Sequence, residues 1–157
     1  MRLVAFDPTD AGTVAAWSRS RQETLNWCSR DESAVPPEVV AGWAEQPDVI
    51  AYGLVDGDDL VAYGELWVDD EEAEVELARL IVAPARRNRG VGRRLVGLLT
   101  AAAQAIHPVV FLRIRPGNEA ALRCYAGCGF TRVPAAEEAD WNRAQPTPYL
   151  WMVFNPD

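Results

Sequence analysis

Leu80-Ile81-Val82-Ala83-Pro84-Ala85-Arg86-Arg87-Asn88-Arg89-Gly90-Val91-Gly92 is the stretch on which the reading of this chain turns. It opens as an apolar strand, breaks at Pro84, and passes through a block of arginines into a glycine pair. From Gly90 to Ile106 the residues Gly92, Leu95, Val96, Leu99, Ala103 and Ile106 recur at three- and four-residue steps, which predicts a long helix, and His107-Pro108 stops it. The first turn of a helix leaves about four backbone N–H groups without internal partners, and the dipole there favours anions. Glycines let a phosphate approach the backbone, and neighbouring arginines add bidentate donors. Arg87, Asn88, Arg89, Gly90, Val91 and Gly92 therefore have the composition of a pyrophosphate cradle. The spacing is not the Gly-x-Gly-x-x-Gly of dinucleotide-binding folds, and a phosphate-binding Lys is excluded because the chain has no lysine. Taken alone, the stretch also fits a plain helix start with solvated arginines.

Upstream of it, Leu3–Phe6 reads as a short strand and Asp7-Pro8-Thr9-Asp10 as cap and turn for a helix from about Ala11 to Ser20. A second helical stretch follows Pro36-Pro37 and ends at Pro47. Three strands, 49–55, 60–68 and 73–82, then form a meander through turns at Asp56–Asp59 and Asp69–Glu72. Downstream, Val109–Arg115 predicts a strand, Asn118 caps a helix to about Cys128, and Gly129-Phe130 leads into a short strand. A loop from Pro134 to Pro148 precedes a last strand, Tyr149–Phe154. The order β-α-α-β-β-β-α-β-α-β-β predicts a mixed α/β (α+β) fold over residues 1–157, a single domain for a chain close to the usual ~150 residues.

Composition narrows the function classes. With 49% hydrophobic and 24% charged residues the chain has the balance of a soluble globule, and its longest mostly apolar stretch, Val96–Ile106, falls short of the ~20 residues a membrane span needs. A net charge of −8 argues against a general nucleic-acid binder. The charge is unevenly placed: residues 56–76 carry ten acids, whereas residues 79–94 carry six arginines and no acid, a pattern that suits a small anionic ligand. The apolar run before Asp7 is too short for a signal-peptide core, and the three cysteines read as reduced thiols of a cytoplasmic protein. Cys124 and Cys128 lie four apart, but one His in the chain leaves a zinc site without ligands, so no metal is expected.

Arg87-x-x-Gly90-x-Gly92 after a strand ending in Leu80–Pro84, followed by Asn118…Tyr125 and Gly129-Phe130, resembles the GNAT superfamily of N-acetyltransferases. The resemblance covers residues 60–132 well and the remainder in element order. It implies a central, mixed but mostly antiparallel sheet with helices on both faces, and acetyl-CoA as cosubstrate. Leu80, Ile81 and Val82 would pair with the pantetheine arm. Asn88 through Arg93 would hold the pyrophosphate, with Arg87 opening the motif, and Asn118 would touch the cofactor arm. Tyr125 would be the general acid that protonates the departing thiolate. The seven-residue spacing of Asn118 and Tyr125, about two helical turns, independently puts both on one helix face. A phenol with an ordinary pKa of about 10 stays protonated at neutral pH and can still donate to a thiolate.

The general base is less determined. Some relatives that modify protein N-termini carry a Glu where this chain has Arg113, which counts against that type of acceptor. Glu76, sharing strand parity with Leu80 and Val82 if no bulge intervenes, is the first candidate, and Glu65 on the neighbouring strand the second; both also fit solvated acids of an acidic hairpin. Trp17, Trp27 and Trp43 fall in the amino-terminal helices and Trp141 in the loop before the last strand. An aromatic wall beside acids would suit a small cationic amine such as a polyamine, amino acid or aminoglycoside, although core packing explains the same tryptophans. The leading expectation is acetyl transfer to a primary amine of a small molecule. The alternatives are a peptide or protein amine, favoured if Trp141 does not lid the cleft, and a non-catalytic acyl-CoA sensor. A homodimer through the aromatic edge strand Tyr149–Phe154 is a further expectation, with a covered edge equally compatible.

Overall fold

The structure, a computed structural model, describes residues 1–156. Its strands are β1 (Arg2–Ala5), β2 (Val49–Asp56), β3 (Asp59–Asp69), β4 (Glu74–Val82), β5 (Val109–Ile114), β6 (Phe130–Arg132) and β7 (Leu150–Phe154). Its helices are α1 (Ala11–Ala15), α2 (Arg21–Cys28), α3 (Pro37–Trp43), α4 (Val91–Gln104), α5 (Glu119–Ala126) and α6 (Ala135–Asn142). All strands join one sheet in the order β1-β2-β3-β4-β5-β7-β6, antiparallel except for the β4–β5 pair. The mixed, mostly antiparallel sheet expected from the sequence is thus present. No helix among the described residues is long and apolar enough to cross a membrane.

Two apolar layers clamp the sheet. Val91, Leu95, Val96, Leu99 and Ala103 of α4 pack with Leu66, Val75, Leu77 and Leu112 on one face, joined by α5 residues. On the other face, α1–α3 bury Val14, Trp17, Trp27, Val40 and Trp43 against Tyr63 and Ile81. The predicted stripe of α4 holds through Ala103, but the helix ends at Gln104 and Ile106 is exposed.

Four expectations are corrected. The helix expected to reach Ser20 stops at Ala15, and a separate helix, α2, begins after Ser20, whose Oγ accepts from the Glu23 amide at 3.1 Å. The Pro134–Pro148 segment is not all loop: α6 starts straight after Pro134 with Glu137 and Glu138 in its first turn, where the helix dipole favours acids. The last strand is not an edge, because β7 pairs with β5 on one side and β6 on the other, so the expected dimer surface there is already covered. The simple parity of β4 also fails. The β3–β4 register shifts between Tyr63 and Glu65, and Arg79 takes a left-handed φ of 50°. Before this bulge Val75 and Leu77 face α4; after it Leu80 and Val82 do. Glu76 is therefore on the opposite face from Leu80 and Val82, the face of Ile81 and α1–α3.

The bulge tightens the opposite strand. A Cβ on Gly64 would lie 2.7 Å from Leu99 Cδ1 and 3.3 Å from Leu80 Cγ, so glycine lets α4 seat against β3. Gly64→Ala should destabilise the fold by roughly 1–3 kcal/mol through overpacking, seen as a lower urea midpoint with an unaltered m-value.

Candidate active site

Strands β4 and β5 are hydrogen-bonding neighbours only from Glu74↔Val109 to Glu76↔Phe111. Beyond that point β4 runs on to Val82 without β5 beside it, and the gap opens into a cleft of about 640 Å³. Ala83 N–H donates to Val61 O, so by strand alternation Ile81 also turns toward β3 while Leu80 and Val82 turn their backbone groups to the cleft side, where Arg87 takes the Val82 carbonyl and the Val82 amide stays open. This is where the sequence placed a partner strand for an extended ligand arm.

At the mouth of the cleft the chain leaves β4 through a short turn at Pro84–Arg86 and reaches α4. Asn88 and Gly90 are both left-handed, with φ of 61° and 80°, and α4 has no side-chain cap. None of the amides from Asn88 through Arg93 donates to a backbone acceptor among the described residues. Six successive free N–H groups at a helix N-terminus form an anion-binding concavity, so the residues present fit a pyrophosphate. Gly92 and Val91 follow in the first turn, and a second, apolar hollow behind the cleft is lined by Gly92, Val82, Cys124 and Tyr125.

The arginines divide their work. Arg87, expected to open the phosphate motif, spends its guanidinium on the protein: Nε donates to Val82 O, Nη1 to Glu23 Oε1 at 2.7 Å and Nη2 to Trp17 O. It ties the motif to α2, and its own amide donates to Pro84 O. Arg86 is paired with Asp56 and Asp59. Arg89, Arg93 and Arg94 remain exposed and outside the ion pairs of the described residues, and supply the positive charge at the cradle.

Asn118 and Tyr125 both line the cleft, as their spacing predicted. Asn118 caps α5, its Oδ1 accepting from Ala121 N at 3.3 Å, which leaves its Nδ2 for a ligand. The Tyr125 ring packs against Phe130, and its hydroxyl finds no hydrogen-bond partner among the described residues. Burial pushes its pKa upward, and the neighbouring Cys124 and Cys128 add to the shift, so the phenol holds its proton across the physiological range.

Both candidate bases are ion-paired. Glu65 is fully buried, bonded by Tyr63 Oη at 2.5 Å, Trp67 Nε1 at 2.7 Å and Arg79 Nη1 at 3.1 Å, and it does not line the cleft. Its position is structural: with the Trp27 indole donating to Arg79 O, and with Trp43 and Trp67 on either side of the guanidinium, it holds the strained Arg79 bulge in place. Glu76 does line the cleft, beneath a fork from Arg113, whose Nε and Nη2 lie 2.5 and 2.8 Å from its oxygens. Burial raises the Glu76 pKa, and Arg113 offsets this only in part.

The tryptophans also sort themselves. Trp27 lines the cleft, Trp17 and Trp43 are core, and Trp141 packs on Phe111 and Trp151, away from the cleft. Cys28, Ser29 and Asn26 of α2 and its C-terminal cap line the cleft too, as does Tyr149, which shares a 2.8 Å hydrogen bond with Ser29. The sequence reading missed this α2 wall, although the capping pattern Ser20-x-x-Glu23 was there to announce the helix. Among the described residues no group of three or more His, Cys, Asp or Glu could hold a metal.

Comparison with known proteins agrees with this geometry. Residues 14–130 match the Acetyltransferase (GNAT) family. A segment of 60 residues, 38% of this chain, is 42% identical to an uncharacterized protein of Mycobacterium leprae and 43% identical to the N-alpha-acetyltransferase RimI of Mycobacterium tuberculosis. The match spans only 16% and 37% of those two proteins. The aminoglycoside acetyltransferase AAC(6')-Ib, solved with ribostamycin and coenzyme A, superposes with a TM-score of 0.77 at 19% identity over 98% of this chain and 92% of its own, a likeness of fold.

Gly90→Ala tests the cradle. The left-handed backbone should cost the folded protein roughly 1–2 kcal/mol, and acetyl-CoA affinity by calorimetry should fall with it. Placed by its fold, its cleft and the match over residues 14–130, the chain belongs to the acetyltransferase (GNAT) family, whose members use acetyl-CoA as acetyl donor.

Proposed function

We propose that this protein transfers the acetyl group of acetyl-CoA to a primary amine of a small molecule by direct attack, with Tyr125 as general acid. The observation that carries the reading is that one cleft runs from Asn88, the first of the free amides of Asn88–Arg93, past Leu80 and Val82 to Tyr125. Bound there, acetyl-CoA supplies the acetyl group and a thiolate leaving group. Leu80 and Val82 would align the pantetheine arm, Asn118 would steady it, and Arg89, Gly90, Val91, Gly92 and Arg93 would hold the pyrophosphate. Tyr125 gives its proton to the departing sulfur. Glu76 is the carboxylate in reach of the acceptor side of the cleft, and it takes the amine proton directly or through water. Reduced cysteines, free in the described residues, support a cytoplasmic setting.

A peptide or protein amine is the second reading. Trp141 is part of the Phe111–Trp151 cluster and lids nothing, so the acceptor end stays open. A sensor without turnover is disfavoured by the Asn118–Tyr125 pair facing the donor slot.

Tyr125→Phe should lower kcat by about 10²-fold or more in a thiol-release assay while acetyl-CoA still binds, and unchanged turnover would remove Tyr125 from the mechanism. Glu76 must be deprotonated to act, and burial raises its pKa above the ordinary carboxylate value of 4.5. Activity should thus fall as pH drops through that raised value, and Glu76→Gln should abolish this acid limb and lower the plateau of kcat/KM.

A further inference from the structure

The acidic and aromatic character that seemed to suit a cationic acceptor is used up inside the protein. The acids of the two β-turns lie away from the cleft: Asp56 and Asp59 pair with Arg86, and Asp70 with His107. The carboxylates at the cleft wall, Glu23 and Glu76, are paired with Arg87 and Arg113, and Glu65 behind the wall is paired with Arg79. The cation–π positions are filled too. Arg79 sits 4.1 Å from the Trp43 ring and 4.8 Å from Trp67, while Arg113 sits 4.7 Å from Trp151 and 5.3 Å from Tyr149. No carboxylate at the cleft is left to greet a second cation.

What is left over is positive. Arg115 lines the cleft and enters no ion pair or side-chain hydrogen bond among the described residues. The nearby Asp31 feels its charge but is held by the fork of Arg21. Strand alternation puts Arg115 on the face of Arg113 and Trp151, the acceptor side, opposite Leu112 and Ile114, which pack toward α4. Continuing the Glu76↔Phe111 register sets it across the gap from Arg79 and Leu80. Around it the cleft offers neutral hydrogen-bonding groups, Asn26, Ser29 and Tyr149.

We propose that the acceptor carries a carboxylate near its amine, as an amino acid does, and that Arg115 is the residue that selects it. This rests on the acetyltransferase reading of the same cleft. A guanidinium reads a carboxylate bidentately, and a hydrogen bond to a charged group contributes about 1.5–3 kcal/mol, roughly 10- to 100-fold in affinity. A polyamine or aminoglycoside would instead meet an unpaired positive charge.

The test compares amino acids with their carboxamides and decarboxylated amines, and acidic with amidated dipeptides, in wild type, Arg115→Gln and Arg115→Lys. Thiol release is read alongside calorimetric binding of each amine to the protein–CoA complex. Wild type should prefer the carboxylate-bearing member of each pair by at least about tenfold in acceptor KM. Arg115→Gln should collapse that preference, Arg115→Lys should restore part of it, and the KM for acetyl-CoA should stay within about twofold. Preference for free amino acids or for acidic dipeptides identifies which source presents the carboxylate. Equal binding of charged and uncharged partners, tighter binding of a polyamine, or a loss in Arg115→Gln that falls on acetyl-CoA would overturn the proposal. Selective carboxylate binding without thiol release would instead sink the transferase reading and leave the selectivity standing.

Discussion

The separation of β4 from β5 after Glu76 and Phe111 is the constraint on which the remaining features depend. Two parallel strands would ordinarily continue their ladder, since unpaired backbone groups in a sheet interior are costly. Here the bulge at Arg79 turns β4 and shifts its register on β3, so the last residues of β4 face open space. A left-handed arginine is unfavourable by itself. It persists because the Trp27 indole takes its carbonyl, Glu65 takes its guanidinium, and Trp43 and Trp67 enclose the cation. The buried polar groups of this wall are all satisfied, which makes it rigid rather than merely crowded.

From that wall the two ends of the cleft acquire different chemistry. Toward α4 the backbone supplies donors and the exposed arginines supply charge, a surface for phosphate. Toward α2 and β5 the charges other than Arg115 are paired off, with Arg113 held by Glu76 on one side and by Gln145 at 2.9 Å on the other. Tyr125 stands where the two ends meet. Burial raises its pKa, so the phenol keeps its proton in the resting protein.

Much of this was legible in the sequence. The strand–arginine–glycine–helix stretch, the stripe of α4 as far as Ala103 and the Asn118–Tyr125 spacing each depend on local pattern, and the structure has each of them. What local pattern could not convey was the bulge. One residue inserted at Arg79 reverses the parity of everything before it, which is why Glu76 lies on the face opposite Leu80 and Val82. Pairing was hidden for the same reason: nothing in the acidic run 56–76 reveals that Glu65 meets Arg79 or that Glu76 meets Arg113 across the sheet. Arg87 looked like a phosphate ligand because of where its partners come from: the Trp17 carbonyl from the end of a helix read as running on to Ser20, and Glu23 from α2, a helix the sequence reading left unassigned.

Hydrogen exchange resolved to single amides, with and without acetyl-CoA, tests the central claim most directly. The account predicts that acetyl-CoA slows exchange at Leu80 and Val82 and along Asn88–Arg93, leaving the Ile81 amide, already turned toward β3, nearly as it was. Protection confined to other segments, with these amides unaffected, would contradict the placement of the donor in the gap between β4 and β5.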